Sequence, residues 1–141
     1  MGATNFYCEA EGKTLSEAFR NAVDEAYYQY GHGGYTGSIA EKSGVSFFDI
    51  PLNALPDRGD EWSIGERVAS AFAYFIEDES LSDPTEYEWA ERAKADAIAL
   101  RMAVGVRKFE EMAYIWDEKW GNALAFRLAE NKFAFCGMAS C

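Results

Sequence analysis

Histidine is almost absent from this 141-residue chain, which holds only His32. A lone imidazole excludes the two-histidine zinc motifs and leaves little for acid–base catalysis near neutral pH. Cysteine is scarce and odd in number, at Cys8, Cys136 and Cys141 with no CxxC pair. That excludes a disulfide framework and a cysteine zinc site, and reduced thiols in the cytoplasm are the expectation. No Gly-x-Ser-x-Gly elbow occurs, and no EF-hand or P-loop spacing. No apolar run reaches the roughly 18 residues of a membrane span. Met1–Phe6 has neither the basic residue nor the apolar run of a signal peptide. Gly2 fits a myristoylation start, but Phe6 stands where that motif needs Ser or Thr. Basic residues are few as well: 13 Lys and Arg face 24 Asp and Glu, for a net charge of −11.

The deficit is uneven. Eleven acids lie between Asp57 and Glu91, opposed only by Arg58 and Arg67, so this segment carries −9. A field of that sign repels nucleic acid and anionic membrane and attracts cationic surfaces. With 49% hydrophobic and 16% aromatic residues, the chain is expected to form one packed domain over residues 1–141.

The apolar pattern predicts a strand over residues 3–10. A capping box at Thr14 and Glu17 then opens a helix that Gly31 stops. Residues 38–42 and 45–50 read as two short strands joined by a Ser43-Gly44 turn. Pro51 and Pro56 close this N-terminal part. Ser63 and Glu66 form a second capping box, before a helix that decays into Glu77-Asp78-Glu79. Asp83, Pro84 and Glu86 occupy the N-cap, N1 and N3 positions of a third helix, alanine-rich and running to about Val104. Strands are expected at 112–116, 121–128 and 133–139, with Leu124, Phe126, Phe133 and Phe135 on one face. The fold expected is α+β: a mostly antiparallel sheet of five or six strands, an N-terminal helix, and a central acidic helical insert at about 57–105.

Four of the twelve glycines and His32 crowd into Gly31–Gly37. Such density marks either a tight turn or a close approach of backbone to a ligand. The order helix, loop, strand puts a negative helix C-terminus beside the loop, which argues against a dinucleotide or P-loop phosphate site. A backbone nest with Tyr35, Thr36 and Ser38 remains an option. His32 is either a turn residue or an acid–base group paired with Asp49 or Glu41. Trp116 and Trp120 flank a turn, as a core edge or as part of an aromatic pocket with Tyr35. A small anion or nucleotide would be held by His32, Tyr35, Thr36, Lys42, Lys119 and Trp120, which together supply stacking, amides and two cations. Neither a metal nor a cofactor is indicated.

The run Tyr30–Lys42, the segment Asp117–Ala123 and the closing Phe133–Ser140 resemble a group of small uncharacterised proteins of bacteriophages and bacterial mobile elements. Where the group has Lys-Trp-Gly-Pro, this chain has Lys119-Trp120-Gly121-Asn122. The resemblance implies a phage or accessory origin, hence the host cytoplasm, and supplies no activity. Without a catalytic constellation, the expected function is non-enzymatic. The chain would bind a host protein with a basic surface, as an inhibitor in counter-defence or host takeover. Glu77, Asp78, Glu79, Asp83 and Glu86 would carry that contact. The alternative is a small-ligand or nucleotide-sequestering protein using the glycine loop. Small residues on the third helix would also suit a homodimer.

Overall fold

The computed structural model describes residues 2–57, 59, 62–81 and 87–141. It is α+β, with four α-helices and one four-stranded mixed sheet. The chain forms two compact units, Met1–Asp49 with Ile115–Cys141, and Ile50–Tyr114.

The first unit holds the sheet: β1 (Ala3–Glu11), β2 (Val45–Phe47), β3 (Ala123–Ala129) and β4 (Lys132–Ser140), in the order β1-β4-β3-β2. β1 pairs antiparallel with β4 along its whole length, from Ala3 opposite Ser140 to Glu11 opposite Lys132. β3 and β4 form an antiparallel pair joined by a short turn. β2 runs parallel to β3. Among the described residues the sheet has four strands where five or six were expected, and two of its three pairings are antiparallel.

Helix α1 (Leu15–Tyr30) begins where expected: the Thr14 hydroxyl accepts from the Glu17 amide at 3.1 Å. Its buried face is Ala18, Ala22 and Ala26, packed with Ala125, Phe133 and Phe135 of the sheet. Methyl groups at that spacing let the helix lie close to the strands. Gly12 serves the same approach, since a Cβ there would meet the Ala18 nitrogen at 2.5 Å.

Three expectations fail here, the first for a local reason and the other two because of partners elsewhere in the chain. Residues 38–42 are no strand: Ser38 caps a 3-10 helix at Ile39–Glu41, its hydroxyl accepting from the Ala40 amide. Without that strand Ser43-Gly44 cannot turn a hairpin. The Gly44 carbonyl instead accepts from Ala123, and Asn122 bonds Ser46 at 3.2 Å. Phe133 and Phe135 share a face with Ala125, whereas Leu124 and Phe126 pair with Cys136 and Ala134 on the other. The register across the turn decides this, and alternation within each strand does not reveal it.

The second unit is helical. α2 (Ile64–Glu77) is capped by Ser63, which accepts from Glu66, as the capping box predicts. α3 spans Glu88–Val104; the expected cap at Asp83, Pro84 and Glu86 lies outside the described residues. α4 (Val106–Asp117) takes up residues 112–116, which were expected as a strand. Phe109, Met112, Ala113 and Trp116 are all buried, an i, i+3, i+4, i+7 pattern that a five-residue window hides. The chain leaves the second unit within α4. The Phe109 ring packs against Phe72 and Phe75 at centroid distances of 5.2 and 4.9 Å. Inside this core lies an ion pair, Arg67 of α2 with Asp96 of α3, both almost fully buried. Arg67 Nε and Nη2 reach the two carboxylate oxygens at 3.1 and 2.8 Å. Arg67 also donates to the Pro56 carbonyl.

Candidate functional site

The glycine loop begins where Gly31, at φ +83°, ends α1 and donates to the Tyr27 carbonyl. His32 folds back to stack on Tyr27, with centroids 4.4 Å apart. Gly34 and Tyr35 follow with φ of +77° and +54°. Gly37, at φ +70°, donates to the Ser140 carbonyl at 2.8 Å. Its missing side chain matters twice, because a Cβ would also meet Thr4 Cγ2 at 2.5 Å.

The loop does form a nest of amides, and the chain fills it itself. Glu41 accepts from the amides of Tyr35 and Thr36, both at 3.0 Å, and from the Thr36 hydroxyl at 2.7 Å. Burial opposes ionisation of Glu41, but these donors from Thr36 and Tyr35 outweigh it and hold the carboxyl below its usual range. Ser38 closes the set, its hydroxyl 2.7 Å from that of Thr36.

Lys42 is committed as well. Its buried ammonium donates to the Glu118 carbonyl at 2.9 Å and the Lys119 carbonyl at 3.3 Å, just beyond the end of α4. A cation there meets the negative end of the helix dipole. Burial lowers its pKa and the Glu118 carboxylate partly restores it. Lys119 reaches the Gly2 carbonyl at 3.4 Å and lies 5.1 Å from the Trp120 ring centre. Gly37 and Lys119 thus both bond residues at the β1 start and β4 end, and Lys42 joins the loop region to the Trp120 turn. The structure brings Thr36, Ser38, Glu41, Lys42 and Lys119 into this linked set. His32 sits on α1, and Tyr35 and Trp120 are exposed. The amides and cations of the expected ligand set already have partners within the chain.

Of the acidic residues singled out, Glu77 and Glu79 are exposed and Asp78 is half-buried, accepting from Ser80 at 2.7 Å. Asp83 and Glu86 lie outside the described residues. Glu77 and Asp78 stand at the C-terminal end of α2, whose last turn holds no basic residue. Like-signed charge at that end costs about 0.3–1 kcal/mol per group. The Glu79 carboxylate, aided by burial and by Glu110, raises the Tyr114 phenol above its ordinary value.

Sequence reasoning missed an aromatic cluster in the same unit. Trp62, Tyr87 and Trp89 are 42, 62 and 52% exposed and line a cleft of about 420 Å³ with Glu88 and Arg92. The rings of Tyr87 and Trp89 stack 6.3 Å apart at 25°. Glu88 and Arg92 pair at 2.6 Å along its side. The available signal was position: each ring lies just before or at the start of a helix, outside the apolar period. Among the described residues, no cluster of three or more His, Cys, Asp or Glu side chains could hold a metal ion, and no helix is long and apolar enough to cross a membrane.

Comparison with protein-family models, with curated proteins and with solved structures returned no match.

Proposed function

We propose that the protein is a non-enzymatic binding protein whose second unit engages a host protein through an acidic, aromatic-bearing surface. The observation that carries this reading is the exposed trio Trp62, Tyr87 and Trp89, set in a unit with fourteen acids against seven Lys and Arg. Exposed aromatics gathered into one patch mark interaction sites, and Trp and Tyr dominate interface hot spots. The acids around them suit a basic partner and speed its approach. Carboxylates at the negative end of α2 cost local stability, the kind of local rule that proteins break at functional surfaces. The reading is of a phage-encoded inhibitor in the host cytoplasm. It involves no direct contact with nucleic acid, which the same field repels.

The test is a pull-down from host lysate at low and high salt, with Trp62→Ala and Trp89→Ala beside the unaltered chain. A basic protein should be retained at low salt, released at high salt, and retained about tenfold less by each variant. Glu77→Lys should weaken retention while raising the melting temperature. If capture ignores both tryptophans and salt, the reading is wrong.

A further inference from the structure

The corner between α3 and α4 reverses the sign of the chain. Between Asp96 and Glu110 lie thirteen residues without an acid, and they hold Arg101, Arg107 and Lys108. α3 ends at Val104, Gly105 turns the chain at φ +94°, and α4 begins at Val106. A Cβ built on Gly105 meets nothing within 4 Å, and residues 102, 103 and 105–108 are all exposed. The junction of the two helices therefore projects into solvent.

Its composition runs against two local rules. Apolar side chains stand at the tip, with Met102 81% and Val106 58% exposed. Met102 lies off the buried apolar positions of α3, which are Ala90, Ala93, Ala97 and Leu100. Arg107 and Lys108 occupy the first turn of α4, where the helix dipole disfavours cations and no acid offsets them. Among the described residues, the Arg101 and Arg107 guanidinium groups form no ion pair, in a chain that carries 24 acids.

We infer that this corner docks on an anionic bilayer surface, with Met102 and Val106 entering the headgroup layer and Arg101 and Arg107 meeting lipid phosphates. Guanidinium forks take phosphate oxygens in pairs, and apolar side chains bury at the boundary between headgroups and acyl chains. A nucleic-acid backbone would meet the cations but leave Met102 and Val106 in water. A protein interface of ordinary size needs about 20–30 residues a side, whereas the corner offers the eight from Arg101 to Lys108.

The charge of −9 on residues 57–91 repels the same surface, so distance decides the balance. Glu91, the last acid of that segment, stands about 15 Å before Arg101 at the rise of α3. That exceeds the screening length of about 8 Å at physiological salt. The acids closest in sequence on α4 are Glu110, half-buried, and Glu111, exposed, which weaken the attraction. Repulsion elsewhere then turns the corner, and no other part of this unit, toward the bilayer.

The test is sedimentation of the whole chain with vesicles of phosphatidylcholine alone or mixed with phosphatidylglycerol. The expected result is binding to the mixed vesicles only, lost at high salt, with amide exchange slowed at residues 102–108. Arg101→Glu with Arg107→Glu should weaken binding at least about tenfold. Met102→Ser should weaken it severalfold, and Glu111→Lys should strengthen it severalfold; circular dichroism checks that each variant keeps its helices. Equal sedimentation with both vesicle types, no binding at low salt, exchange slowed only away from the corner, or full binding by the folded double variant would overturn the inference. So would displacement of the vesicles by an acidic Glu-Val peptide or by duplex DNA, which would make the occupant a protein or a nucleic acid. The assay contains no host protein, so its failure is separate from failure of the proposed function.

Discussion

Single residues hold the sheet end together, and Gly37 is the most constrained of them. Its φ of +70° and the 2.5 Å approach of Thr4 to a built Cβ are separate penalties. Gly37→Ala should therefore destabilise the protein by about 1–3 kcal/mol in urea unfolding, and trimming Thr4 to alanine should recover only part of it. Full recovery in the double variant would show that the clash alone matters. Glu41 illustrates a second lesson at this scale. A glycine-rich nest attracts an anion, and the nearest anion in this chain is its own carboxylate. Nothing in the loop sequence distinguishes an external ligand from Glu41, because both satisfy the same amides.

Among the elements, α2 and α3 depend on the Arg67–Asp96 pair. Two charges taken out of water are tolerated because the fork of the guanidinium meets both carboxylate oxygens and the Pro56 carbonyl takes another donor. Removing one partner strands the other. Asp96→Ala and Arg67→Ala should each cost about 3–5 kcal/mol by thermal or urea unfolding, and the double variant should cost less than the sum. Additive losses would mean that the pair is not coupled. The same reasoning by element explains α4: its buried residues recur at helical spacing, but aromatic and β-branched side chains at 114–116 carry strand propensity locally. The helical alternative is anchored by Phe109, whose ring packs against the α2 phenylalanines.

For the whole molecule, acid stability follows from Glu9 and Glu41. Glu9 is held below the usual range chiefly by the Tyr7 hydroxyl and then by Lys132, and Glu41 by Thr36 and Tyr35 against its own burial. Depressed folded-state values mean that their contribution is present above the ordinary carboxylate range and is lost as pH falls through it. Unfolding free energy should hold steady down to about pH 5 and then decline, less steeply in Glu9→Gln with Glu41→Gln. Cys8 acts in the opposite sense: burial, aided by the Glu9 charge, pushes its thiol up to about 12. Its contribution is present below the ordinary thiol value and is lost as pH rises through it, so a second decline is expected above about pH 9. Urea titrations across the pH range read both limbs, and a flat acid limb in the unaltered chain would contradict the first.

The parts legible in the sequence were those closed by bonds within one turn of chain. Thr14 with Glu17 and Ser63 with Glu66 satisfy helix amides three residues away, so both helix starts stand where composition put them. Charge segregation is likewise a property of sequence alone. The Ser38 cap of Ile39–Glu41 is a local bond hidden by competing strand propensity, and most of the rest depended on partners far along the chain. Lys42 finds the Glu118 carbonyl 76 residues away, β2 finds a parallel neighbour only after the entire second unit, and the faces of β3 and β4 follow from register. The Trp62, Tyr87 and Trp89 cleft belongs to the same class, joining residues from separate segments at the surface. Local hydrogen bonds and periodicity are written in neighbouring residues, whereas pairing direction, register and surface clusters are set by which distant groups the packed chain brings together.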